Sequence, residues 1–316
     1  MSDAIETRNL VKCYGARRAM DGLSLAVPRY SVLGLIGPNG AGKTTWMMSV
    51  AGFLHLTSGD INLLGAGPFD ARYHRGRISI LPQDSELPLE SKPLELLVHY
   101  GLLQGLTRSE AERTSSAMLD EVHLRDRVSA PIRTLSHGMR KRVMIAQCFI
   151  GYPEVVLLDE PLSGLDPREV ARMREFLLRR RGRQTVVISS HNLHDIEVLC
   201  DRVAFLENGR VARMAGLSEV TGADSLLVYR LSAPPSDLDA LREAVPGAAL
   251  SFSDATCELM CRFDRQRHST EVVNRLLIPA ILLQPCGLLA ISQGTSLEAE
   301  YLKQVPPESA RTSCTR

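Results

Sequence analysis

Between Gly37 and Thr44 the chain reads Gly37-Pro38-Asn39-Gly40-Ala41-Gly42-Lys43-Thr44, and these residue types in this order can hold phosphate. Glycines let the backbone wrap closely around an anion while successive N–H groups point at it. Lys43 can neutralise the outer phosphate oxygens of a nucleotide, and the Thr44 hydroxyl can ligate Mg²⁺. An apolar run, Ser31 to Ile36, leads into the loop, and a helical segment, Thr45 to Gly52, follows it. That is the strand-loop-helix setting a P-loop requires. Thr45, next to the metal-binding hydroxyl, is grouped with the nucleotide-binding residues.

A phosphate-bound metal needs a second, acidic ligand. Val155-Val156-Leu157-Leu158-Asp159-Glu160 supplies one: four apolar residues form a buried strand, and Asp159 emerges at its C-terminal end, where ligands gather in parallel sheets. Asp159 is the expected metal ligand, acting through water, and Glu160 is the candidate general base for an attacking water. An apolar strand ending in Asp-Glu is common as plain structure. The P-loop upstream gives this one its chemical meaning.

With these two motifs the chain resembles the nucleotide-binding subunits of ABC transporters, over at least residues 3–220. Leu135-Ser136-His137-Gly138-Met139 resembles the family signature LSGGQ, with His137 in place of the first glycine and Met139 in place of the glutamine. The physical logic is again a helix N-terminus, where the Ser136 hydroxyl and the Gly138 N–H can bind a γ-phosphate. In the family that phosphate belongs to ATP held by the other subunit's P-loop. The resemblance therefore implies ATP and Mg²⁺ as ligands and a homodimer, or a heterodimer with a paralogous ATPase subunit. It also implies further roles in chain order. Tyr14 falls where an aromatic ring stacks on adenine, its bland alternative being a half-buried strand tyrosine. Gln83 falls where the family glutamine touches Mg²⁺ or water and links to the permease. Ser163-Gly164-Leu165-Asp166 resembles the loop that crosses the dimer interface, and His191 the switch histidine that contacts the γ-phosphate. His194 has no such claim and reads as a surface residue.

The His-Gly-Met form, and Ser296 to Lys303 as a closing helix, resemble the multidrug-type exporter branch. The implied function is ATP hydrolysis that powers export of an unidentified substrate through a separate integral-membrane permease. The chain would then sit peripherally at the cytoplasmic face of the membrane. The alternative from another class is a soluble ABC ATPase acting on the ribosome or nucleic acid. A third reading keeps the fold and changes the transport: an importer, or a lipid or haem exporter. One cassette, no sustained heptad pattern and a net charge of +1 disfavour the nucleic-acid reading.

The elements that must position these residues alternate between apolar runs and helical patterns, which predicts an α/β P-loop NTPase core. The resemblance adds a helical subdomain at about 86–150 and an antiparallel β subdomain. Ile78 to Leu81, Glu154 to Leu158, Thr185 to Ser189 and Arg202 to Glu207 read as strands, with Asn208-Gly209 turning a hairpin into Arg210-Val211. Leu94 to Leu106, Arg108 to Val122 and Met139 to Ile150 read as helices, the second with Ser109 and Glu112 at capping-box spacing. The ATPase domain is expected over 1–222. Beyond it Ser225 to Leu231, Ser236 to Val245 (Ser236 as N-cap), Leu250 to Ser253, Thr256 to Phe263, Ser269 to Leu277 and Leu282 to Ser292 follow the order βαββαβ. That order predicts a ferredoxin-like accessory domain over 223–305. Residues 306–316 read as a disordered tail.

The remaining signals are bland. The 316 residues are 44% apolar and 23% charged, ordinary for a folded chain. Seven cysteines without regular spacing read mostly as small buried hydrophobes in a reducing compartment. The N-terminus has no signal-peptide pattern, and no apolar run is long enough to span a membrane. The Arg179 to Arg183 run reads as a solvated helix end, and Arg140, Lys141 and Arg142 as exposed helical turns.

Overall fold

The computed structural model describes residues 3–223 and 225–304. The expected disordered tail, 306–316, lies outside the described residues. The chain divides into two units, Met1–Ala215 and Gly216–Arg316.

The first unit runs β1 (Asp3–Tyr14), β2 (Arg17–Pro28), β3 (Val32–Ile36), α1 (Lys43–Val50), β4 (Ser58–Leu63), α2 (Ala71–His74) and β5 (Ile78–Leu81). It continues with α3 (Pro93–Leu103), α4 (Arg108–Glu121), α5 (His137–Gln147), β6 (Val155–Asp159), α6 (Pro167–Leu178), β7 (Thr185–Ser189), α7 (Leu193–Leu199), β8 (Arg202–Glu207) and β9 (Arg210–Gly216). A six-stranded sheet has the order β5-β6-β7-β3-β8-β9, and a three-stranded antiparallel sheet the order β2-β1-β4. The pairs β5–β6, β6–β7, β7–β3 and β3–β8 are parallel. β3, β6 and β7 are buried at every residue, as parallel strands covered on both faces must be. Their largely apolar sequences meet that demand, and the buried polar residues Asp159, Thr185 and Ser189 stand only at strand ends. Asn208 and Gly209, between β8 and β9, both take positive φ, 50° and 75°, as a two-residue hairpin turn requires.

One core joins the two sheets through α1, uniting Leu10, Leu23 and Leu63 of the antiparallel sheet with Leu35, Leu157 and Val187 of the parallel one. Trp46 and Met47 of α1 lie fully buried in it. The indole Nε1–H is satisfied by Thr7 Oγ1 at 3.2 Å, and Thr7 in turn donates to Leu25 O at 3.0 Å. The helix that follows the phosphate loop is thereby pinned on its far side by packing and one hydrogen bond, not by propensity.

Several local expectations need correction. α4 is capped by Thr107 and Glu110: Glu110 N donates to Thr107 Oγ1 at 3.3 Å, and Thr107 N to Glu110 Oε2 at 2.9 Å. The pair Ser109 and Glu112 has the same spacing but lies inside the first turn. The chain can enter the helix early because Gly105, at φ 99°, has just ended the previous segment. Lys141 and Arg142 are buried, not exposed. Arg142 pairs with Glu169 at 2.9 Å and donates to Val122 O at 2.8 Å, tying α5 to α6 and to the end of α4. In the 179–183 arginine run, Arg180 is buried against Phe176, 3.7 Å from the ring centroid, and pairs with Glu121 at 2.7 Å. Arg181 pairs with Asp201.

The second unit holds α8 (Leu217–Thr221), β10 (Leu226–Leu231), α9 (Leu238–Ala244), β11 (Ala249–Ser253), β12 (Glu258–Arg262), α10 (Thr270–Leu282), β13 (Leu288–Gln293) and α11 (Leu297–Gln304). Its antiparallel sheet has the order β11-β12-β10-β13, and α9 and α10 bury Leu241, Val273, Leu277 and Ile281 against it. α9 is capped by Asp237, whose carboxylate accepts from Ala240 N at 2.9 Å, and not by Ser236. α10 runs five residues past Leu277, because Val273, Leu277 and Ile281 continue one buried stripe through Pro279. The last strand therefore begins at Leu288, not at Leu282. A run that is apolar all round carries no period to tell helix from strand.

Replacing Thr107 by Ala should lower the unfolding free energy by about 1 kcal/mol, while Ser109→Ala should leave it nearly unchanged. Urea unfolding followed by circular dichroism checks the pair, and equal effects would contradict the cap assignment.

Candidate functional site

Parallel pairing places the site. Leu35 of β3 and Asp159 of β6 both lie in register with Ser189 of β7. The loop leaving β3, the Asp159-Glu160 pair leaving β6 and the Ser190-His191 segment leaving β7 therefore converge at one end of the sheet. That crevice beyond the C-terminal strand ends is where open α/β sheets bind ligands.

The 37–42 segment is shaped for backbone approach. Gly42 caps α1 with φ 104°, and a Cβ there would meet Ala19 O at 2.8 Å. Gly40 takes φ 82°, and a Cβ there would stand 2.7 Å from Arg17 Nη2. Only glycine fits either position without strain. Lys43 Nζ folds back over the loop and donates to Gly37 O at 2.6 Å and Pro38 O at 3.2 Å. Burial lowers the pKa of this ammonium, and the nearby Glu160 and Asp159 carboxylates oppose the shift. The α1 N-terminus, the bent-back lysine and the loop amides face one concavity, a fit for a polyphosphate.

The acidic wall is a connected network. Thr44 Oγ1 donates to Asp159 Oδ2 at 2.5 Å, across 115 residues of sequence. Asp159 is 2% exposed, and its other oxygen accepts the Ser189 hydroxyl. Glu160 N donates to Ser189 Oγ at 3.0 Å and to Ser189 O at 3.2 Å. Glu160 has φ 50°, a left-handed conformation that costs a non-glycine residue about 1–3 kcal/mol and persists only where its surroundings enforce it. Its Oε2 lies 2.7 Å from His191 Nδ1. With Glu160 ionised the carboxylate can only accept, so the proton in this contact belongs to the imidazole.

A cavity of about 700 Å³ lies between these walls, ordinary for a small-ligand site. Of the residues expected from sequence, Tyr14, Asn39, Gly40, Gly42, Lys43, Thr44, Thr45, Gln83, Asp159, Glu160 and His191 line it. Gly37, Pro38 and Ala41 belong to the loop but do not face the cavity, and two of them instead hold Lys43 through their carbonyls. Tyr14 stands at the rim, 49% exposed, with Lys12 Nζ 5.0 Å from its ring centroid. Ser136, His137, Gly138 and Asp166 do not line this cavity. Ser136 caps α5 by accepting from Met139 N at 3.2 Å, and Asp166 caps α6 by accepting from Arg168 N at 3.0 Å and Glu169 N at 3.1 Å. The two segments touch each other: a Cβ on Gly164 would lie 2.9 Å from His137 Nε2.

The donors also bear on a metal. Among the described residues no group of three or more His, Cys, Asp and Glu side chains could hold one unaided. A hydroxyl and a carboxylate oxygen side by side at Thr44 and Asp159 suit a hard cation that draws its other ligands from phosphate and water. Mg²⁺ fits that set.

Sequence reasoning passed over three participants. Arg17 lines the cavity near Gly40. Lys141 is buried on α5 and its charge interacts with Glu160, Asp159 and Asp84, while burial lowers its pKa. Ser189 was expected only as the end of a strand. Hydroxyl types at the ends of buried strands were the one available signal, and it is weak without the register.

A P-loop on a parallel sheet, an acidic residue at the neighbouring strand end and a capped signature helix define a P-loop ATPase of the ABC type. A family model described as ABC transporter matches residues 20–163. The Nod factor export ATP-binding protein I of Burkholderia lata is 34% identical over 71% of this chain and 76% of its own length. The linearmycin resistance ATP-binding protein of Bacillus subtilis is 30% identical over 72% of this chain and 75% of its own. A solved ATP-binding subunit of an ABC transporter superposes with a TM-score of 0.63 at 28% identity, covering 69% of this chain and 92% of that one. The chain belongs to the ATP-binding proteins of ABC transporters, and it binds and hydrolyses ATP.

Lys43→Ala should weaken ATP binding at least about tenfold, the loss of a charge-assisted phosphate contact of about 1.5–3 kcal/mol. Isothermal titration calorimetry measures it, with circular dichroism as the control for folding. Unchanged affinity would remove Lys43 from the phosphate site.

Proposed function

We propose that this chain is the ATPase subunit of an exporter and that two ATPase chains close around two ATP molecules. The supporting observation is the separation within one chain: the Ser136 and Gly138 helix start lies outside the cavity that holds Lys43, Thr44 and Asp159. Each half presents phosphate-directed groups, and each is incomplete. A second chain, identical or paralogous, supplies the missing half.

In the closed site the loop amides and Lys43 bind the β- and γ-phosphates, and Tyr14 stacks on adenine. Thr44 and Asp159 would hold Mg²⁺, with Gln83 contributing directly or through water, and the ion would supply charge neutralisation to the phosphates. Glu160 accepts the proton of the attacking water, and His191 meets the γ-phosphate from its position against Glu160. From the partner chain, Ser136, the His137 turn and Gly138 donate to the γ-phosphate, and Asp166 lines the interface. Loss of that phosphate removes the reason for the two chains to stay closed.

Export is supported by the two relatives above, whose names refer to Nod factor export and to linearmycin resistance. Among the described residues no helix is long and apolar enough to cross a membrane. The pathway for cargo is, in this reading, a separate permease. The chain would attach to it peripherally, at the cytoplasmic face. A second concavity of about 390 Å³ runs from Gln83 past Asp84, Glu86, Leu87, Leu89 and Arg140, and its mixed apolar and charged lining is suited to an amphipathic segment of such a permease. In the second unit the order βαββαβ and the strand order β11-β12-β10-β13 support a ferredoxin-like accessory domain over 223–305, with a regulatory or dimer-stabilising role.

Glu160→Gln should lower turnover by at least about a hundredfold while ATP now accumulates a dimer on size-exclusion chromatography. A mutant that turns over normally would overturn the assignment of Glu160. Lys43→Ala and Ser136→Arg chains should each be inactive alone and regain ATPase activity when mixed, because the mixed dimer contains one intact site. If the mixture stays inactive, a homodimer sharing its sites is excluded.

A further inference from the structure

We infer that Ser189 is a positioning residue for hydrolysis, and that its hydroxyl sets both acidic groups of the site at once. The inference rests on the reading of Asp159 and Glu160 given above. Ser189 is fully buried at the end of β7, directly in register with Asp159. Its Oγ has one proton to give, and that proton goes to Asp159 Oδ1. Its lone pairs accept from Glu160 N at 3.0 Å. One hydroxyl is thus donor to the metal-side carboxylate and acceptor for the backbone of the base, which uses its capacity in both directions.

The consequence is geometric. Thr44 holds one oxygen of Asp159, so the carboxylate plane is defined only when the other oxygen is held as well, and Ser189 holds it. At Glu160 the left-handed φ of 50° opposes the residue's own preference. The Glu160 N–H contact to Ser189 Oγ, with that to Ser189 O, offsets the cost and turns the side chain toward His191. Without the hydroxyl, only the carbonyl contact remains to hold Glu160 N, and Asp159 keeps a single partner. Ser189 does not line the cavity and touches no phosphate position, so it acts through its two neighbours.

The test compares Ser189→Ala with the parent and with Glu160→Gln. Ser189→Ala is expected to lose kcat by about 10–100-fold, the usual effect of removing a hydrogen-bond partner of a metal-side ligand, with KM for ATP within about threefold at saturating magnesium. Binding of ATP in the absence of magnesium, measured by calorimetry, should stay within twofold, because Lys43 and the loop amides are untouched. Like Glu160→Gln, the variant should accumulate an ATP-bound dimer on size-exclusion chromatography. A kcat within twofold of the parent overturns the inference. Loss of magnesium-free ATP binding also overturns it, because the hydroxyl would then be supporting the fold instead of the hydrolytic pair. If Glu160→Gln itself turns over normally, the reading of Glu160 fails, and that outcome is distinct from a Ser189 variant that stays active beside an inactive Glu160→Gln.

Discussion

The contact between Thr44 and Asp159 is the constraint on which the rest of the site depends. Two oxygens 2.5 Å apart, from residues 115 positions apart in sequence, must meet at the wall of the cavity. Neither side chain is long enough to reach across a gap, so the backbones must be placed almost without error. The parallel sheet provides that placement. β3 and β6 are not neighbours in the sheet; both pair with β7, which therefore acts as the spacer between the lysine loop and the acid. This explains why β7 is buried at every residue and why its last residue is Ser189, a hydroxyl in register with Asp159.

Packing behind the sheet serves the same end. α1 starts at the phosphate loop, and its Trp46 and Met47 are locked into a core shared by two sheets. Movement of α1 would open voids in a close-packed interior, which is costly, so the loop's helix end keeps its position. On the other side, Arg142 fastens α5 to Glu169 of α6 and to the end of α4. The signature serine at the start of α5 is thus carried on a helix whose own footing is a buried ion pair, while the Ser163 to Asp166 loop touches its first turn. Breaking a buried pair leaves an uncompensated charge, so Arg142 and Glu169 hold α5 in one position against α6 and the end of α4.

Electrostatics set the polar contacts of the site. Lys43 is turned onto its own loop carbonyls, and Glu160 is held by His191. A terminal phosphate offers an ammonium far more charge than two carbonyls, and Lys43 stands at the cavity where such a group would enter.

Much of the catalytic identity was legible in the sequence because it rests on local rules. A glycine that must take φ 104°, a lysine and threonine directly after it, and an apolar run ending in Asp-Glu are readable from neighbours alone. So were β5, β7 and β8, whose bounds emerge from short apolar runs between turn residues. What the sequence left open follows from contacts between distant segments. Thr107 and Ser109 offered the same capping pattern, and the fold uses Thr107, where both reciprocal bonds with Glu110 are made. Arg142 and Arg180 looked solvated because cations usually are, yet Glu169, Glu121 and the rings of Phe149 and Phe176 make burial possible. Lys141 is buried where the charges of Glu160, Asp159 and Asp84 act on it. Ser189 looked like the end of a strand until register set it opposite Asp159. The sequence by itself determined which chemistry the loop and the acid can perform, since that depends on residue types within a few positions. Only the tertiary structure decided which residues complete it, because a hydrogen bond across a sheet depends on register, and register is a property of two segments together.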